Sequence, residues 1–375
     1  MFSGRKKGGV LMKAFLSPVV LLAITAFAAD TGRGTQIDAF FANLKLDAPG
    51  AAVLVVKDDQ PVFKRGYGIT DLRTRQKIDA QTNFRLASCT KQFTATAIML
   101  LVHDGKLRYE DHLTDVFPDF PAYGQTITIR NLLNHTSGLL DYEDLMPRQP
   151  GVPEEQLRQI HDAEVLALLK QQNKTKFASG SHWDYSNSGY VVLATAVEKV
   201  SGKWFGEFLH DRIFVPLGMS QTIAYEKRKN EVTNRAYGHT MKHGTWVQND
   251  QSDTSATLGD GGVYSSLEDL AKWDQALAHH TLLSESEMQP AWTPVKVPDK
   301  SVTEPDGTPA AYGFGWFLNP YKGHPRMWHY GETVGSRTTI QRFAEGNLTI
   351  VILCNRDDLV PADLAKKIAD IYFVH

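Results

Sequence analysis

Two cysteines in 375 residues leave almost no room for a disulfide framework. Cys89 falls in an expected buried helix and Cys354 in an expected buried strand, so both read as packed, free thiols. Metal-site spacing is missing as well. Without a Cys-x-x-Cys, a His-Glu-x-x-His or an EF-hand loop, the 13 histidines do not add up to a metal centre. A Gly-x-Ser-x-Gly elbow is absent, which removes the nucleophile turn of an α/β-hydrolase. No Walker-type glycine loop is present to cradle a phosphate. Internal repeats and low-complexity tracts are also lacking. Charge is balanced, 40 Lys and Arg against 42 Asp and Glu, and past the N-terminus no basic block appears. That excludes nucleic acid and an anionic membrane surface as partners. No cofactor is expected.

With 42% hydrophobic and 22% charged residues, the chain is ordinary globular material with ample core. Its start differs. Arg5, Lys6, Lys7 and Lys13 precede an uncharged apolar run from Ala14 to Phe27 that closes on Ala26-Phe27-Ala28. A positive flank, a short apolar stretch and a small-x-small site describe a signal peptide over residues 1–28, hence a periplasmic or secreted protein. The run is short for a membrane span, and no second one follows. Cleavage removes four basic and no acidic side chains and takes the formal charge from −2 to −6.

Periodicity divides the rest. Ile37, Phe40, Phe41 and Leu44 follow a capping pattern at helical spacing, and 51–56 with 62–67 read as a strand pair across Asp58-Asp59-Gln60-Pro61. A helix is expected from Ser88 to His103, ended by Gly105. Helical stripes then dominate. Strand patterns return at 314–318, 326–330, 337–343 and 348–353, with a turn at Ala344-Glu345-Gly346-Asn347, and Leu364, Ile368 and Ile371 mark a closing helix. The expected fold is α+β. Residues 29–105 and 256–375 share one antiparallel sheet flanked by helices, and 106–255 form an inserted all-helical lobe.

Three short motifs carry the chemistry. Ser88-Cys89-Thr90-Lys91 offers a hydroxyl and an amine three positions apart, on one face of a helix. A serine hydroxyl is a poor nucleophile until a neighbouring base takes its proton. Tyr185-Ser186-Asn187 and His329-Tyr330-Gly331 follow in order. The Ser-x-x-Lys pattern alone is weak, since Ser3-Gly4-Arg5-Lys6 also fits it; chain order and setting single out Ser88.

With Asn134-His135-Thr136-Ser137-Gly138-Leu139, Gly261-Gly262-Val263-Tyr264-Ser265-Ser266 and Tyr312-Gly313-Phe314-Gly315-Trp316, these motifs resemble the serine β-lactamase and penicillin-binding superfamily. The similarity is to its class C β-lactamase-like branch, which includes DD-peptidases, D-amino-acid peptidases and family VIII esterases. The resemblance implies that Ser88 is the nucleophile, Lys91 its base partner and Tyr185 a phenolic base. It implies substrate contacts from Asn187 and from the strand of His329, Gly331 and Glu332, with the N–H groups of Ser88 and Glu332 forming an oxyanion hole. A phenol titrates near 10 and needs cations to serve as a base; Lys91 and a protonated His329 are the candidates. Lys91 is an equal candidate for the base. Histidine stands where true β-lactamases carry lysine. That points to a secreted serine hydrolase acting through an acyl-enzyme on a small ester, amide or D-amino-acid peptide. The alternatives are a β-lactamase proper and a penicillin-binding receptor acylated with little turnover.

Overall fold

The computed structural model describes residues 1, 2, 4, 32–299, 302–304 and 307–373. Apart from Met1, Phe2 and Gly4, the expected signal peptide lies outside the described residues. The chain divides into two units, Met1–Phe40 and Phe41–His375. A first helix, α1, covers 32–41. The sheets and the remaining helices belong to the second unit.

β1 (Ala51–Lys57) and β2 (Gln60–Tyr67) form the expected hairpin. Asp58 and Asp59 turn it with φ of 51° and 62°, the left-handed pair that matches strand twist. β1 is buried along nearly its whole length, which is why Ala-Ala-Val-Leu-Val-Val shows no polar alternation. Its other edge pairs with a strand from the far end of the chain. The five-stranded sheet runs β2-β1-β10-β9-β8, all antiparallel, with β8 at Met327–Thr333, β9 at Ser336–Phe343 and β10 at Leu348–Cys354. Asn347, at φ 41°, closes the β9–β10 turn. The expected strand at 314–318 is reduced to single bridges, Tyr312 with Phe317 and Phe317 with Trp328. Gly315, at φ 77°, bends the backbone there.

In the chain between β2 and β8 lie α2 (Lys91–His103), α3 (Asp162–Lys170) and α4 (Asn187–Ser201). α4 packs against both α2 and α3. Lys91 through Leu101 of α2 are all buried, so this helix is the centre of the core. The 106–255 segment also carries β4 (Ile223–Ala224) and a hairpin of β5 (His239–Lys242) with β6 (Thr245–Gln248). β4 joins β7 (Val263–Ser265) and β3 (Phe84–Arg85) in a small second sheet. α5 (Leu267–Ala278), capped by Ser266 accepting from Asp269 N–H, packs on β1. α6 (Pro361–Tyr372) covers β9 and β10. Cys89 and Cys354 are free and buried.

Candidate active site

The nucleophile sits on a tight turn, not in the first turn of an α-helix. Ala87–Thr90 form a 3-10 turn, and α2 begins only at Lys91. Ala87 holds φ at 47°, a costly value for a residue with a Cβ, so the surroundings must enforce it. They do so with hydrogen bonds on both sides. Leu86 N–H donates to Val263 O at 2.8 Å, and Thr338 Oγ1 donates to Leu86 O at 2.8 Å. Val263 N–H donates to Thr90 Oγ1 at 3.1 Å, and Cys89 Sγ to His329 O at 3.5 Å. The turn is thereby fixed between the two sheets, leaving Ser88 partly exposed while its neighbours are buried.

Lys91 Nζ is the hub. It donates to Ser88 Oγ at 3.1 Å, Asn187 Oδ1 at 2.9 Å and Asp260 O at 2.9 Å. Lys91 is wholly buried, and burial holds its pKa down to about 8, against the opposing pull of Asp260 and Glu143. A neutral amine is therefore within reach near neutral pH.

Tyr185 and Asn187 come from the entry to α4. Ser186 is its N-cap, accepting from Gly189 N–H at 3.1 Å, which sets the residues on either side of it toward α2. The Asn187 amide bridges two groups, taking Lys91 on its oxygen and donating to Glu143 Oε1 at 3.1 Å. The Tyr185 hydroxyl is sealed from solvent and faces Ser88, with no well-formed hydrogen bond to it. Lys91 Nζ lies 4.9 Å from the centre of the Tyr185 ring. Burial raises the phenol well above its ordinary value. The expected lowering of Tyr185 by neighbouring cations is thus overridden by desolvation.

His329 also departs from expectation. It has no exposure, and its nitrogens are both engaged, Nε2 with Tyr312 O–H at 3.2 Å and Nδ1 with Tyr330 O at 2.6 Å. Donation from Nδ1 to the carbonyl leaves Nε2 as the acceptor, a neutral imidazole. Burial, helped by Lys91, pushes its pKa to about 3. It supplies no positive charge and has no nitrogen to offer a substrate, which corrects the expected binding role. The strand around it fares differently. Trp328 N–H and C=O point outward to Phe317. Antiparallel alternation then turns the main-chain groups of Tyr330 and Glu332 outward and those of Gly331 inward toward Thr338. The Glu332 N–H is thus on the free edge, beside the nucleophile turn, and its carboxylate pairs with Arg337 at 2.8 Å. Gly331 is where that turn approaches: a Cβ there would fall 2.1 Å from Leu86 O.

Two cavities flank these groups. One of about 240 Å³ is lined by Asp141, Tyr142, Glu143, Asp144, Tyr185 and Asn187. Another of about 410 Å³ runs along Tyr330, Gly331 and Glu332 to the start of α6. A larger space of about 540 Å³, near Arg130 and Lys296, holds none of the reactive groups, so chemistry rather than size locates the site. No cluster of metal-ligating side chains occurs among the described residues. Sequence reasoning missed Glu143, Asp260 and the role of His135. The buried His135 ring lies 4.4 Å from that of Tyr185, and its Nδ1 accepts from Ser186 N–H at 3.1 Å.

Comparison with known proteins places the chain in a family. The family model for Beta-lactamase matches residues 36–372. Penicillin-binding protein 4* of Bacillus subtilis is 32% identical over 319 residues, covering 82% of this chain and 68% of that protein. A D-aminopeptidase of Brucella anthropi is 30% identical over 314 residues, with 82% of this chain matched to 56% of the relative. The penicillin binding protein of Bacillus halodurans superimposes with a TM-score of 0.74 at 28% identity, covering 89% of this chain and 98% of the other. The chain belongs to the beta-lactamase family and is a serine hydrolase of the β-lactamase and penicillin-binding superfamily.

Proposed function

We propose that the protein hydrolyses a small ester, amide or D-amino-acid peptide through an acyl-enzyme on Ser88, with preference for a substrate carrying a free amino group. The observation that carries the chemistry is Lys91 Nζ at 3.1 Å from Ser88 Oγ with a pKa near 8. Lys91 accepts the Ser88 proton as Oγ bonds to the carbonyl carbon. The N–H groups of Ser88 and Glu332 receive the developing oxyanion, the leaving group departs with a proton, and water releases the acyl group. Tyr185, kept neutral by burial, passes its hydroxyl proton to the leaving group and takes one back from Lys91, which returns to the neutral amine.

The amino-group preference rests on the smaller cavity. Asp141 is paired with Lys176 at 2.6 Å and Asp144 with Arg148 at 3.4 Å. Glu143 accepts from the Asn187 amide and has no ion pair among the described residues. It is the carboxylate left to receive a substrate ammonium, and the D-aminopeptidase relatives fit that chemistry. The 1–28 pattern supports export to the periplasm or beyond.

A panel of D-alanyl p-nitroanilide, its N-acetyl analogue, p-nitrophenyl esters and nitrocefin tests this. Ser88→Ala should abolish every rate, and equal rates in both proteins would refute the reading. The free amine should be preferred over the N-acetyl form by about tenfold or more, a preference that Glu143→Gln should erase. The likeness to penicillin-binding proteins favours one second reading, a receptor acylated with little turnover. A fluorescent penicillin that stays on Ser88 without loss over hours would select it.

A further inference from the structure

Asp260 lies outside the three motifs that carry the chemistry, yet its main-chain oxygen is one of three acceptors around Lys91 Nζ. Its side chain is 6% exposed. Oδ2 accepts from Tyr142 O–H at 3.2 Å, while Oδ1 has no partner. A buried carboxylate with so few donors is weakly screened, and its field reaches its neighbours at low dielectric.

Two carboxyl groups face the Lys91 amine, Asp260 and Glu143, and Asp260 has the stronger pull. Cys89, two residues before Lys91, has its thiol pushed up to about 12 by burial. Tyr185 and Tyr190 present ring faces, at 4.9 and 5.5 Å. His135 and His329 are both driven neutral by burial. Burial first and Asp260 second push the carboxyl of Asp162 well above the usual carboxylate range. The amine is therefore balanced between desolvation, which expels its proton, and Asp260, which retains it.

We infer that Asp260 is a positioning residue for the Ser88–Lys91 pair: its carbonyl aims the amine, and its carboxylate sets the pH below which that amine is a cation. The inference rests on the acyl-enzyme reading above. It makes the acid limit of the enzyme a property of a residue that touches neither nucleophile nor substrate. Because the carbonyl is main-chain, substitution removes the charge and leaves the aim in place.

The test is the pH dependence of Ser88 labelling by a fluorophosphonate, in wild type, Asp260→Asn and Asp260→Glu. Loss of the charge should move the acid limb toward lower pH by about one unit, the size of one nearby opposite charge. Asp260→Glu should return it toward the wild-type position. Titration of [ε-13C]lysine by NMR, with the Lys91 signal assigned by its loss in Lys91→Arg, should show the same displacement without reference to activity. If Asp260→Asn does not fold, Asp260→Ser serves as the neutral variant. A limb and a lysine titration that stay in place in the folded neutral variant would overturn the role of Asp260 alone. Wild type that takes no label at any pH would overturn the acyl-enzyme reading, and this inference with it.

Discussion

Lys91 and His329 are basic side chains without exposure, and burial drives both away from the cation. For Lys91 the outcome lies near 8. Below that value the amine already holds its proton and cannot take one from Ser88, so kcat/KM for a neutral ester should fall about tenfold per pH unit. Above it the profile should level. A pH–rate profile from about pH 6 to about pH 10 reads this directly, and a rate that is flat through the predicted limb would remove Lys91 as the base. For His329 the consequence is stability. Its pKa is about 3 folded against an ordinary 6.5. Between those values the unfolded chain binds a proton that the folded chain refuses, so stability rises with pH across the window and is lost as pH falls through it. His135 acts in the same direction. His329→Gln should therefore reduce, not abolish, the acid slope of the urea midpoint, by an amount on the order of a few kcal/mol at the acid end. A slope as steep as wild type would assign the acid sensitivity elsewhere.

At the scale of elements, the site is a contact between the Ala87–Thr90 turn and β8. A Cβ at 331 would meet Leu86 O at 2.1 Å and Thr338 Oγ1 at 2.2 Å, and the first of these is backbone with little freedom to yield. Gly331→Ala should push β8 off the turn, costing about 2 kcal/mol or more in denaturant unfolding and slowing Ser88 labelling about tenfold. Wild-type values for both would mean that the contact relaxes without moving the nucleophile. The N-cap of α4 allows a gentler test. Ser186→Ala removes the acceptor for Gly189 N–H and should cost about 1 kcal/mol, with a larger proportional loss in rate because Tyr185 and Asn187 flank the cap. Such contacts also explain what could be read from sequence. Ser88 with Lys91, and Tyr185 with Asn187, sit within single turns, so local spacing found them. Glu143, on a single helical turn and bonded to Asn187, and Asp260, in a loop and bonded to Lys91, come from stretches distant in sequence, with no spacing rule to mark them. The one available signal for Asp260 is its place just before Gly261-Gly262. The position of His329 was legible but its charge was not, because charge depends on the burial that tertiary packing creates. The Phe-Gly-Trp-Phe-Leu run at 314–318 reads as a strand, yet the φ of 77° at Gly315 leaves only isolated bridges.

For the molecule as a whole, the question is whether the site opens separately or only with the sheet. β1 pairs with β10 from Ala51↔Cys354 to Lys57↔Leu348, so the two ends of the unit close one sheet, and the nucleophile turn is bonded to it through Thr338 of β9 and His329 of β8. The two thiols report on both places. Cys354 ends β10, and Cys89 lies beside the nucleophile; burial pushes each up to about 12. With no thiolate near neutral pH and no solvent access, neither should react with an aromatic disulfide reagent until the protein opens. If turn and sheet are one cooperative body, Cys89 and Cys354 should react with the same rate constant, which at high reagent equals the global unfolding rate. Cys89→Ala and Cys354→Ala, studied singly, assign each phase. A Cys89 phase faster than that of Cys354 would show the strained Ala87 turn opening by itself. The strain at φ 47° would then be relieved locally, and the clamp from both sheets would be weaker than its hydrogen bonds imply.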